Sequence, residues 1–401
     1  MREMKDSGVR WIGKIPTKWT IAKAKNCVEI QNGSDPKTEG SIPVYGSGSM
    51  SFKTCGEYKE GPSVLIGRKG ATLHIPHYIS SKFWNVDTAF NVYSKSIFDL
   101  KYYFYCAHVF DYTLYMSQTT LPSMTQTAYE NMFLPLPTKE EQYAIANQLD
   151  QICSKIDAVL EKTRASIEEY KKLKQAVITQ VVTKGVRGDR PMKDSGSVWF
   201  EEIPCNWVMK RIKYLFHIKK DIAGKEGYTV LSITQRGIQP KDLSKNEGQI
   251  AANYSQYQLL APGDFAMNHM DLLTGWVDIS KYSGVTSPDY RVFVLDDAEK
   301  NDSSYYLYLM QMCYFNRIFY GLGQGVSGMG RWRLQADNFL NFPVVVPPVD
   351  EQKEIVSYLN EKCKQLDTLI RNKQQYLTEI ENYKKSLIYE YVTGKKEVHP
   401  L

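Results

Sequence analysis

From Ile145 the apolar positions advance in alternating steps of four and three: Ile145, Leu149, Ile152, Ile156, Val159, Thr163, Ser166, Tyr170, Leu173 and Val177. That 3.5-residue period predicts a coiled-coil seam rather than an isolated amphipathic helix. A second series follows the same rule: Ile355, Leu359, Leu366, Leu369, Tyr376, Ile380, Tyr383 and Leu387, with Lys362 and Lys373 interrupting it. Each run starts just after a proline-rich break, residues 134–137 (LPLP) and 346–348 (VPP), and proline is tolerated only in a first helical turn. Between these runs the pattern changes to short apolar stretches separated by Gly- and Pro-bearing turns. Residues 63–66, 90–93, 228–233 and 290–295 have strand character. Tyr102 to Tyr105 and Tyr305 to Tyr308 occupy equivalent places, read as the starts of short helices, with the tyrosines in the core.

The two series belong to an internal repeat. Residues 4–19 (MKDSGVRWIGKIPTKW) return at 192–207 as MKDSGSVWFEEIPCNW, an offset of 188. Glu141 and Gln142 return as Glu351 and Gln352, an offset of 210 that holds to Val182-Thr183 against Val392-Thr393. Each copy is therefore constant at its ends and variable in its middle, and the second middle is 22 residues longer. The expected division is 1–138 first globular domain, 139–185 first long helix, 186–348 second globular domain, 349–393 second long helix and 394–401 a C-terminal tail.

Composition narrows the function classes. In 401 residues, 50 basic against 44 acidic side chains leave a mild net charge of +6. The excess concentrates in the first globular segment, and the helical segments are close to neutral, which suits spacing or docking better than tracking phosphates. No apolar run reaches the roughly 18 residues of a membrane helix. The 7 cysteines are scattered without a CxxC pair, which argues against a disulfide framework or zinc knuckle and for a reducing cytoplasm. No GxxxxGK[ST] loop and no NPPY or DPPY motif occurs. Pro288-Asp289 lacks the second carboxylate of a nuclease, because Ala298 stands two before Lys300. His74 and His77 have no further ligand set, so neither a catalytic centre nor a metal site is expected.

The doubled MKDSG…W…IP…W opening and the tails LPLPTKEEQYAIANQLDQICSKID and FPVVVPPVDEQKEIVSYLNEKCKQLD resemble the specificity subunits of Type I restriction–modification systems. The resemblance covers the whole chain. It implies two α/β (α+β) target-recognition domains, each followed by a long helix, with the helices paired antiparallel about a pseudo-two-fold axis. It also implies a non-catalytic subunit that reads one half of a bipartite double-stranded DNA site with each domain. The helices would set the spacer and dock two modification subunits, and restriction subunits would complete the complex. S-adenosylmethionine, ATP and Mg would act on those partners, with no cofactor in this chain. A protein-only scaffold and a self-sufficient restriction or methyltransferase enzyme are the alternatives from other classes.

Base readout needs Arg, Lys, Asn, Gln, Ser or Thr on loops. In the first domain the candidates are Arg68, Lys69, Gln118, Thr119, Thr120, Ser123 and Gln126. In the second they are Asn268, His269, Gln324, Ser327, Arg331, Trp332 and Arg333, in a loop whose glycines are expected to let DNA approach the backbone. Partner docking and the coiled coil are assigned to Ile145, Leu149, Ile152, Ile156, Ile355, Leu359, Leu366 and Leu369.

Overall fold

The computed structural model describes residues 2–95, 98–117, 121–243, 253–325 and 332–398. The chain divides into two compact units: Met1–Ala165 with Lys373–Leu401, and Ser166–Asn372. Each is mixed α/β, and each contains one globular body and parts of both long helices.

In the first unit a four-stranded antiparallel sheet orders Val28–Asn32, Ala89–Ser94, Ser63–Gly67 and His77–Ile79. The two central strands, Ser63–Gly67 and Ala89–Ser94, are almost wholly buried, as continuous rather than alternating apolar runs require. A smaller sheet joins Ser51–Cys55, Ile42–Tyr45 and Trp84–Asn85. Strand Phe133–Leu136 pairs with Thr20–Lys23 and feeds the first long helix, Lys139–Lys184.

The second unit repeats this plan. Its four-stranded sheet orders Phe216–Lys219, Arg291–Leu295, Phe265–Met267 and Val277–Ile279. Strand Pro343–Val346 pairs with Val208–Arg211 and leads into the second long helix, Val349–Val392. The short helices Leu100–Val109 and Ser303–Phe315 start at the side-chain caps Asp99 and Asp302. Tyr102, Tyr103, Tyr105, Tyr305 and Tyr306 are buried in the cores, as their apolar neighbours suggest.

The two long helices pack together within each unit. In the first, Lys384 donates to both Asp157 oxygens at 2.7 and 2.8 Å, and Arg164 pairs with Glu381. The partner number falls as the helix number rises, so the helices run antiparallel. In the second, Lys174 donates to both Asp367 oxygens at 2.7 Å. The two lysine–aspartate pairs are one pair repeated at the offset of 210, with the helices exchanged.

The seam itself differs from the apolar count. Ile145, Leu149, Ile355, Leu359 and Leu366 are buried, and Ile152 and Ile156 pack half-buried against the first core. Leu369, however, is 43% exposed, and its neighbour Ile370 is buried. Val159 and Leu173 are exposed too, whereas Leu160, Ile167 and Ile178 are buried. One heptad row, through Ile156, Thr163, Tyr170 and Val177, coincides with the expectation; the other lies one residue further on. The reason is chemical. The true second row passes through Lys174 and Lys384, whose aliphatic stems lie in the seam while their ammonium groups reach aspartates. Counting apolar residues therefore favoured the wrong neighbouring row.

Candidate nucleic-acid interface

The repeated motifs build a latch, not a reading edge. In the first unit Thr138 and Glu141 form a reciprocal cap on the long helix: Glu141 N–H donates to Thr138 Oγ1 and Thr138 N–H to Glu141 Oε2, both at 3.3 Å. Trp19 Nε1 donates to the same carboxylate at 3.1 Å, and Arg2 pairs with it at 2.9 Å. Gln142 is fully buried. Its amide donates to Pro137 O at 3.1 Å and its oxygen accepts from Asp99 N at 2.7 Å, tying the long helix to the cap of Leu100–Val109.

The second unit repeats the Trp–Glu–Arg and Gln parts but not the reciprocal cap, because Pro348 stands where the first unit has Thr138. Glu351 accepts from Trp207 Nε1 at 2.9 Å and Asn206 Nδ2 at 2.6 Å, and pairs with Arg190. Burial opposes the charge on Glu351, but hydrogen bonds from Arg190, Trp207 and Asn206 outweigh it and hold the carboxyl below its ordinary value. Gln352 joins Pro347 O at 2.9 Å and Asp302 N at 2.8 Å. Tyr102 and Tyr305 complete the pattern: their hydroxyls donate to Val392 O at 2.8 Å and Val182 O at 3.0 Å. In each unit the globular body is thus bolted both to the start of one long helix and to the end of the other. Trp19, Trp207 and the repeated Glu–Gln pairs are consumed in this joint.

The candidate reading residues lie elsewhere, around the ends of the inner strands Ser63–Gly67 and Phe265–Met267. Arg68 follows the first strand, half-buried, with its guanidinium 5.8 Å from the Phe90 ring centre. Its carbonyl accepts from Met124 N, as the His269 carbonyl accepts from Leu334 N, both at 2.9 Å. Arg68 is therefore the counterpart of His269. Lys69 is exposed and bridges in antiparallel fashion to Ser123, which also bonds Ser117. Gln126 is engaged inside: its amide donates to Ile30 O and Glu130, and its oxygen accepts from Asn32. Asn268 likewise closes its own turn, accepting from Met270 N and Asp271 N. His269 is buried, held neutral by burial and by Arg291 and Arg333, with its pKa pushed down to about 3.

Of the late-loop candidates, Gln324, Trp332 and Arg333 are exposed. Gln324 and Arg333 exchange backbone hydrogen bonds at 2.9 and 3.1 Å and so form a closed neck. Trp332 stacks on Tyr320 with centroids 5.2 Å apart and donates to Tyr320 O. Gln118, Thr119, Thr120, Ser327 and Arg331 lie outside the described residues. The glycines at the neck have a different use from the expected one. A Cβ on Gly323 or Gly325 would come within 2.4 or 2.3 Å of the Trp332 ring, so they make room for this indole.

Two charged groups behind the loops escaped the sequence reading. Lys59 donates to Asn85 Oδ1, Asn91 Oδ1 and Asn32 O at 2.8, 2.6 and 3.1 Å, and burial pushes its pKa down to about 8. Arg291 opens a buried strand. The only signal in the sequence was a lone arginine in the run Tyr290 to Leu295.

No helix among the described residues is long and apolar enough to cross a membrane. Among solved structures the chain resembles one from work on complex assembly and conformational transition of the type I R-M system. The TM-score is 0.67 at 13% identity, covering 95% of this chain and 99% of that one; the likeness is one of fold. Among curated proteins it is similar to the Type I restriction enzyme MjaVIII specificity subunit of Methanocaldococcus jannaschii, 24% identical over 302 residues. That match covers 71% of this chain and 66% of the relative, just under two thirds of its length. The family model described as Type I restriction modification DNA specificity domain matches twice, over residues 16–169 and 204–382. With most of its length matched in two tandem copies, the chain belongs to the Type I restriction modification DNA specificity domain family.

Proposed function

We propose that the chain is the DNA sequence-recognition subunit of a Type I restriction–modification complex, each unit reading one half of a bipartite site. The observation that carries this reading is the contrast between joint and edge. The Trp–Glu–Gln joint is the same in both units, whereas the strand-end loops differ in length and residue type. One scaffold presenting two different edges suits two different half-sites. The long helices set the distance between half-sites and dock two modification subunits. An exposed apolar row supports that docking: Val159, Tyr376 and Tyr383 in the first unit, Leu173 and Leu369 in the second. The seam leaves this row free. Methyl transfer, ATP-driven movement and cleavage, with S-adenosylmethionine, ATP and Mg, belong to the modification and restriction subunits.

The test is an exchange of residues 20–133 for the matching segment of a related subunit, followed by genome-wide mapping of methylated bases. One half of the methylated motif should change. A change in both halves, or in neither, would overturn the two-reader assignment.

A further inference from the structure

The start of strand Arg291–Leu295 holds a buried positive charge that no carboxylate among the described residues balances. Arg291 is 6% exposed and His269 5%. The Arg291 guanidinium donates to Leu334 O at 2.9 Å and lies 4.9 Å from the Phe339 ring centre. Both are neutral partners. Among the described residues no carboxylate pairs with Arg291 or Arg333. Residues 326–331 (VSGMGR) contain no acidic side chain by sequence, so the rest of this loop cannot supply one. His269 Nδ1 is buried without a hydrogen-bond partner. Leu334 ties this pair to the loop, its carbonyl accepting from Arg291 and its N–H donating to His269 O; the preceding residue, Arg333, is exposed on the closed neck with Gln324, its backbone fixed by two hydrogen bonds.

Burying a charge without a counter-ion is costly, and an arginine cannot relieve the cost by losing its proton at neutral pH. Burial lowers the Arg291 pKa only to about 10, which leaves it charged. An anion arriving at Arg333 would meet the field of two guanidinium groups from a partly desolvated side, where attraction is stronger than in bulk water. In the first unit the equivalent strand opens on Ala89 and Phe90 instead.

We propose that Arg333, backed by Arg291 and His269, forms an anion seat that takes one phosphodiester group of the DNA backbone at the second half-site. The assignment to DNA rests on the sequence-recognition reading above; the anion seat itself does not. Such a contact positions the duplex without reading its sequence. An exposed arginine at a rigid neck supplies the contact, and the buried arginine supplies a charge that cannot move away.

The test uses the full chain and two variants. Arg333→Gln removes an exposed charge and should leave the fold intact. Arg291→Met keeps the packing on Phe339 and removes the buried charge. First, thermal melting is compared in inorganic phosphate and in chloride at matched ionic strength. Phosphate should raise the Tm of the unaltered chain saturably, with the shift lost in both variants and retained in Lys155→Gln, an exposed lysine of the first long helix. Absence of a phosphate-specific shift in the unaltered chain, or its persistence in Arg333→Gln, overturns the seat. Second, double-stranded DNA affinity is measured against salt. Arg333→Gln should lower the slope of log K against log salt by about 0.9, the loss of one phosphate contact, with sequence preference unchanged. A phosphate shift combined with an unaltered DNA slope would assign the seat to free phosphate and overturn the backbone contact. Failure of every chain to bind DNA would overturn the recognition reading and the backbone contact together, with melting still deciding the seat.

Discussion

In the first unit the ring of Tyr129 lies under Phe90, and its hydroxyl donates to Gly67 O at 2.8 Å, closing the end of the inner strand with a neutral hydrogen bond. In the second, Phe339 has no hydroxyl, and Arg291 lies over its ring and donates to Leu334 O. The desolvated cation of the first unit, the half-buried Lys59, is instead surrounded by amide and carbonyl oxygens. The Trp–Glu–Gln core of the joint to the long helices, by contrast, recurs in both units. Divergence between the readers therefore reaches past the loop tips into the buried polar groups behind them. A reading edge can be changed only together with the interior that holds it.

The largest effect should come from the shared joint. Trp19 and Trp207 are buried and hydrogen-bonded to Glu141 and Glu351. Each Trp→Ala variant should lose about 3–5 kcal/mol in denaturant unfolding, as for other large-to-small core changes. A loss above 3 kcal/mol in one and below 1 in the other would show that the joints are not mechanically equivalent.

Acid should separate the units by their histidines. Burial and Lys384 outweigh Asp157 at His108 and lower its pKa to about 4; His269 falls to about 3. Between pH 6.5 and about 4 the unfolded chain therefore binds protons that the folded chain refuses, and stability falls as the pH drops through that window. For His108 the loss amounts to about 3 kcal/mol at most, from roughly 1.4 kcal/mol per pH unit. His108→Gln should flatten this slope in pH-dependent unfolding, and an unchanged slope would count against a neutral buried imidazole.

The half-buried Lys59 and the buried Arg291 should behave differently. Lys59→Met strands the oxygens of Asn85 and Asn91, both fully buried. Each group left unsatisfied costs about 1–3 kcal/mol. Arg291→Met removes a charge without a carboxylate partner and should cost less in urea unfolding. The reverse order would show that Arg291 is the better satisfied of the two.

The tandem organisation, the helix starts and the tyrosine cores were legible in the sequence because they depend on local periodicity, proline and repetition. The role of Glu141-Gln142 and Glu351-Gln352 was not, because their partners Trp19, Asp99, Trp207 and Asp302 are brought close only by the fold. Gln126 and Asn268 looked like loop readers by residue type, but in the fold Gln126 bonds across to Ile30 and Asn32, and Asn268 closes its own turn. Residue type reports what a side chain can bond, and the fold decides what it does bond.

The smallest effect concerns the seam and is the closest test of symmetry. Lys174–Asp367 and Lys384–Asp157 are the same pair in the two units, each two-pronged. All four side chains keep partial exposure, 29% and 47% in one pair and 22% and 54% in the other. Solvent screening and side-chain entropy then reduce the pairing to about 0.2–1 kcal/mol. Double-mutant cycles with Lys→Met and Asp→Asn isolate this coupling from the packing of the lysine stems. Methionine keeps the stem in the seam, so single Lys→Met changes should lie within about 1 kcal/mol of zero, with either sign. The two couplings should agree within about 0.5 kcal/mol and shrink together as salt is raised. A difference larger than that between the cycles would mean that the helices pack differently in the two units, despite a repeated sequence and repeated bonds. The asymmetry of the readers would then extend into the helix pairing that carries them both.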